Sequence, residues 1–186
     1  MFVRFAAAVL LLSQLARAAA DELSLKLESP EQTIHVGDFA RFEVTVSNES
    51  KKPLTLVEPG DGSECKWRTP IIGWSAIAAD DRVSKHPKEP PRDSRPRCGN
   101  VNSLKLDEVF TLQPGNSRKL AAWVGAPTFA MPGKYRLVFY YSNQPDLPMQ
   151  GVLLGKHDDG VLEKIKQSHP CHLMSNEVIV DVSPKQ

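Results

Sequence analysis

The sequence predicts an all-β fold: an antiparallel β-sandwich with long loop insertions and one short helix. Three observations predict it. In Pro132–Tyr141, PGKYRLVFYY, Tyr135, Leu137, Phe139 and Tyr141 alternate with Arg136, Val138 and Tyr140 after a Pro-Gly turn. That is the period of a strand and not of a helix. About seven segments of this kind recur with turn residues between them. No alternation of helices with strands suggests a parallel sheet.

The elements follow in chain order. Leu23, Leu25 and Leu27 alternate with Ser24, Lys26 and Glu28, a first strand with one buried face that Ser29-Pro30 ends. His35–Asp38 is a turn. Phe39–Ser47 is the cleanest strand, with Ala40, Phe42, Val44 and Val46 on one side and Arg41, Glu43 and Thr45 on the other. Leu54–Val57 begins a third. The pattern breaks at Pro59-Gly60-Asp61-Gly62. Ile71, Ile72 and Ile77 return part of the next stretch to the sheet. Asp80–Arg97 carries Pro87, Pro90, Pro91 and Pro96 and almost no apolar residues, so it reads as an exposed, mobile loop. Leu104 and Leu106 alternate with polar residues. Val109–Leu112 is a strand, Pro114-Gly115 a turn, and Arg118–Val124 a strand leading outward. After the central strand the chain wanders for about thirty residues, long for a loop in a sandwich. The helix lies there: Asp158 or Asp159 can cap it, Val161, Leu162 and Ile165 form its apolar stripe, and Pro170 blocks extension. Glu177–Val182 is the last strand.

The chain has 186 residues, enough for one domain. Residues 1–20 stand apart from it. Arg4 is a short basic region, Phe5–Leu12 is an apolar run too short to cross a bilayer, and Ala16, Ala18 and Ala20 offer small-residue cleavage sites. This is the pattern of a secretory signal peptide, so residues 21–186 are expected as a secreted or periplasmic domain without stable membrane insertion. Lys+Arg number 23 against 22 Asp+Glu; loss of Arg4 and Arg17 with the leader leaves 21, a formal charge of −1. That balance gives no electrostatic case for nucleic acid.

An exported chain permits disulfides, and its three cysteines, Cys65, Cys98 and Cys171, permit one internal pair. Cys98–Cys171 is favoured because both immediately precede expected strands. Cys65–Cys98 would close the Arg/Pro-rich loop instead. Either closure would stabilise by about 3–4 kcal/mol in the chain-entropy account.

VGDFARFEVTVSN (Val36–Asn48) and FTLQPGNSRKLAAWVG followed by PGKYRLVFYY resemble bacterial immunoglobulin-like modules, and the layout is similar to that of the bacterial intracellular proteinase inhibitor family. The resemblance implies an immunoglobulin-like sandwich, in which Tyr135, at the corner before the central strand, bonds back to the preceding backbone. It implies no inhibitory residues, and the signal peptide departs from an intracellular family.

Three stretches are candidate sites. GDGSECKWRTPIIGW places Trp67, Arg68 and Trp74 together on an expected loop, and Trp and Arg are the residues most enriched at binding hot spots. The competing reading buries a tryptophan against the sheet. His169-Pro170-Cys171-His172-Leu173-Met174 offers soft metal ligands, without any standard zinc spacing. The Arg/Pro-rich loop carries Arg82, Arg92, Arg95 and Arg97, largely offset by Asp80, Asp81, Glu89 and Asp93. No G-x-S-x-G, P-loop or dinucleotide fingerprint occurs. The expected function is therefore a non-enzymatic module without a cofactor, binding a protein or glycan through Trp67, Arg68 and Trp74. The alternatives are a periplasmic metal-binding protein using His169, His172 and Met174, and an inhibitor of an exported protease presenting Lys85–Arg97 as bait.

Overall fold

A computed structural model describes residues 22–29, 33–59, 67–89, 100–120 and 127–185. The expected signal peptide, Cys65, Cys98 and the arginines beyond Glu89 lie outside the described residues. In chain order the strands are β1 (Leu23–Glu28), β2 (Ile34–His35), β3 (Glu43–Asn48), β4 (Leu54–Val57), β5 (Ile71–Ala78), β6 (Asn100–Val101), β7 (Val109–Leu112), β8 (Ser117–Lys119), β9 (Gly133–Asn143), β10 (Val152–Leu153), β11 (Cys171–Met174) and β12 (Val178–Ser183). The helix, α1, is Val161–Lys166.

One sheet is β1-β3-β8, all antiparallel. The other is built on β9. Strand β5 lies along one side of it, β12 along the first half of the other side and β11 along the second half, with β2 added in parallel to β12. These are the A-B-E and C-F-G layers of an immunoglobulin-like sandwich. The corner tyrosine is also as expected: the Tyr135 hydroxyl donates to Met131 O at 2.9 Å.

The main core lies between the sheets. Leu25 and Leu27 of β1, Val44 and Val46 of β3, Leu137, Phe139 and Tyr141 of β9, and Val180 and Val182 of β12 all face it. Strands β4 and β7 pair as a continuation of the β3–β8 ladder, and Asn48 secures the break between the two halves. Its buried side chain donates to Lys52 O and Leu112 O and accepts from Ser50 N. Beneath β4 and β7 a second apolar cluster joins Val57, Leu104, Val161 and Ile165. The long segment after β9 is therefore packed, with α1 as its anchor.

Boundaries differ from expectation where a neighbour supplies other bonds. Phe39 is 82% exposed, and the strand starts only at Glu43. Leu104 and Leu106 do not extend a strand. Asp158 donates its N–H to Leu104 O and accepts from Leu106 N through its carboxylate, so Leu104 turns into the second cluster. Helix α1 begins after Gly160, whose φ is +75°, a left-handed turn that suits glycine. Neither Asp158 nor Asp159 occupies the cap position.

The Tyr141 hydroxyl bridges the two parts of the structure. It donates to Val57 O at 2.7 Å and accepts from Val57 N at 3.2 Å, serving the side of β4 turned away from β7. Tyr141→Phe leaves both buried backbone groups without that partner. We expect a loss of about 2–3 kcal/mol in urea unfolding with an unchanged slope, since unpaired buried polar groups cost about 1–3 kcal/mol each.

Candidate functional site

The expected trio is not presented as one surface. Trp74 lies in the middle of β5, paired with Phe139, and its ring packs 5.1 Å from Phe42 and 5.0 Å from Phe139. It is the strand-C tryptophan of the sandwich core, which corrects its reading as a contact residue. Arg68 is 4% exposed, with its guanidinium end-on to Glu108 (Nη2–Oε1 2.6 Å, Nη1–Oε2 3.4 Å), so it too leaves the expected contact surface. Trp67 is half-buried, and its carbonyl accepts from Gln150 N.

The structure builds a different feature from residues 79–89. This segment leaves β5 and runs as a strap over the outer face of the β9 sheet. Four of its carbonyls are held by side chains standing on that sheet. Arg136 Nη2 donates to Asp81 O (2.8 Å) and Ser84 O (3.0 Å), and Tyr140 donates to Pro87 O (2.6 Å). His172 Nε2 lies 2.8 Å from Lys88 O. At the start of the strap the Asp81 carboxylate accepts the N–H groups of Val83 and Ser84; the Ser84 hydroxyl foremost, and then these backbone bonds, hold it below the usual carboxylate range. His86 turns inward, Nδ1 2.9 Å from Ser75 Oγ and Nε2 3.1 Å from Glu177 Oε2. Hydroxyl, imidazole and carboxylate stand in the order of a hydrolase triad. Ser75 itself is buried, 7% exposed.

The strap meets the outward side of β9 at Tyr140, and there Val138, Tyr140 and Ser142 are as buried as the residues facing the core. It also corrects the expectation of a mobile loop as far as Glu89. The low hydrophobicity of the segment implies freedom, whereas side chains far along the chain supply its hydrogen bonds. The sequence reading singles out none of Arg136, Tyr140 and His86, whose side chains hold this segment. The available signal was a large tyrosine on the outward phase of the central strand, where a solvated face would carry a smaller polar residue.

In the His169–Met174 segment the expected ligands diverge. His172 and Met174 point outward from β11 and Leu173 inward. His169 Nε2 stands 3.4 Å from Glu22 Oε2, close enough for an ion pair but not aligned as a hydrogen bond. No group of three or more His, Cys, Asp or Glu side chains placed to hold a metal ion occurs among the described residues. Cys171 is a free thiol, so the favoured Cys98–Cys171 pairing does not hold. Burial pushes this thiol up to about 12, which keeps it protonated and a poor metal ligand or nucleophile. Burial likewise lowers the pKa of His169, with Lys52 adding to the effect and Glu22 opposing it.

No known family model matches this sequence, and no curated protein matches it. Among solved structures, the chain is similar to native alpha-2-macroglobulin from Escherichia coli, in a fragment spanning domain MG7 to the C-terminus. The identity is 16% and the TM-score 0.38, over 89% of this chain and 17% of that one. A superposition of that quality carries nothing about activity or partners.

Two outcomes follow for this region. In a Cys65→Ser/Cys98→Ser background at pH 8, iodoacetamide should label Cys171 at least about a hundredfold more slowly in the folded than in the urea-unfolded protein, because only thiolate reacts. His169 has a native pKa below that of the unfolded chain. The unfolded state therefore binds the extra proton first, and stability falls as the pH drops below about 6.5. His169→Gln should flatten the dependence of the urea midpoint on pH between about 6.5 and 5.

Proposed function

We propose that this protein is an exported, non-enzymatic binding module that recognises a protein partner through the strap, residues 79–89. The observation that carries the reading is the clamping of Asp81, Ser84, Pro87 and Lys88 carbonyls by side chains of the sheet. A segment already held in one conformation spends little ordering entropy on binding. Arg82, Val83, Lys85 and Lys88 project from it into solvent, and Val83 is 89% exposed. An apolar tip flanked by cations suits a protein surface with an apolar pocket and an acidic rim. Glycan recognition by ring stacking has less support, because the Trp74 ring is in the core.

A second reading, inhibition of an exported protease by the stretch beginning at Lys85, is favoured by the exposure of Lys85 and Lys88 on a held backbone. Trypsin separates the two readings. A bait segment that inhibits stays uncut at Lys85 and Lys88 and slows trypsin on a reporter substrate. A recognition strap resists cleavage through its clamps alone and leaves trypsin active. In either case Tyr140→Phe combined with Arg136→Gln should raise cleavage at Lys85 by about tenfold or more, through local opening rather than global unfolding. For the leading reading, Val83→Asp/Lys85→Glu should abolish capture of an exported partner at an unchanged thermal midpoint. Capture retained by that variant sinks the assignment to the strap.

A further inference from the structure

The strap leaves part of its own sheet uncovered. Arg136 and Tyr140, which hold its carbonyls, each have an exposed apolar neighbour on the next strand. Ile179 of β12 pairs with Arg136 and is 61% exposed. Met174 of β11 pairs with Tyr140 and is 52% exposed. Paired residues of an antiparallel ladder share a face, so both stand on the outer face beside the strap's clamps. Val83 lies next to them. It sits between Asp81 and Ser84, whose carbonyls accept from the same Arg136 nitrogen, so Arg136 has the Val83 turn at its tip and Ile179 at its side. Glu177, between Met174 and Ile179 in the chain, is not a free charge there. Its carboxylate lies 3.1 Å from His86 and 3.4 Å from Arg136. Beyond Ile179, Asp181 lies 3.8 Å from Lys134. The strap's cations differ. Between Asp80 and Glu89 at its two ends, Arg82, Lys85 and Lys88 are exposed and make no ion pair among the described residues.

We infer that Val83, Ile179 and Met174 form one contact face, and that it receives an amphipathic helix of the protein partner, apolar toward the sheet and acidic toward the strap. This face extends the strap reading, on which it rests, to the sheet beside the strap. A sheet face offers side chains and not backbone groups. That suits a helix, whose own backbone bonds are already made, better than an extended peptide. The spacing agrees. Arg136 and Tyr140 are four residues apart on β9, about 13 Å, and their neighbours Ile179 and Met174 are separated to match. Residues i and i+8 on one face of a helix are about 12 Å apart. Charge sets the helix's flank: with Glu177 and Asp181 paired, the free charges along the middle of the strap are cations, which attract an acidic flank and repel a basic one.

Photocrosslinking in cells that produce the full chain tests this face. p-Benzoylphenylalanine is placed singly at Val83, Met174 or Ile179, with Val152 of β10 as an exposed apolar control outside the β9 sheet. The first three positions should give one product of the same mass, and Val152 none. Peptide mapping should place the Met174 and Ile179 crosslinks in one segment of the partner, about eight residues apart. Met174→Glu/Ile179→Glu should lower the Val83 product at least about tenfold at an unchanged thermal midpoint, since both side chains are exposed. A Val83 product that survives Met174→Glu/Ile179→Glu overturns the face and leaves the strap reading standing. No product from Val83 overturns the strap reading and this face with it. Crosslinks to a second copy of this chain, or to lipid, overturn the choice of partner. Met174 and Ile179 crosslinks about four residues apart in the partner mark an extended segment and overturn the helix.

Discussion

Everything in this sandwich hangs on β9, and on the fact that both of its faces are buried. Its inward residues, Leu137, Phe139 and Tyr141, fill the space between the sheets. Its outward residues, Val138 and Tyr140, lie under the strap. A strand at the centre of a sheet with both faces covered is held by ladders on each side and by packing above and below. At its far end the Tyr141 hydroxyl ties β9 to β4 and hence to the second cluster. Burial holds that phenol well above the ordinary tyrosine range.

The strap is a consequence of that central strand. Arg136 and Tyr140 leave β9 on its outer side and fasten backbone that has no ladder of its own. Arg136 also lies 3.4 Å from Glu177, which links the strap to the turn before β12. Buried backbone carbonyls need partners, and here side chains supply what a further strand would otherwise provide. On the opposite flank the segment after β9 returns through α1, and its apolar stripe covers Leu104 and Val57 without sealing the space beside Arg68. A rigid sheet therefore carries two differently made surfaces. One is a polar segment fixed in place, and the other is an apolar hollow with a single buried cation.

The difference between the expected and observed sites comes down to burial. Trp67, Arg68 and Trp74 are near one another in sequence, on a stretch whose pattern is that of one loop. The strand begins at Ile71, so Trp74 falls on the inward phase of β5 while Arg68 precedes the strand and meets Glu108, forty residues further on. Nothing near Arg68 in sequence announces Glu108. In the same way the freedom ascribed to residues 80–89 was a sound inference from composition, and it failed because Arg136, Tyr140 and His172 reach the segment from 52 to 84 residues away. Cysteine spacing could not choose a pair for a related reason: whether Cys171 meets a partner depends on which strand lies beside β11.

Alternation, turn residues and the corner tyrosine were sufficient for the all-β sandwich, for the central strand and for the helix near Val161. Each of these is a local pattern that the packing of a sheet or a short helix requires of neighbouring residues. Strand order, the packing of Trp74 against the core, the clamped strap, the free thiol of Cys171 and the pairing of buried Arg68 with Glu108 came only with the three-dimensional structure. They are pairings between residues far apart in the chain, settled by which backbone groups and charges were still without partners once the sheets had formed.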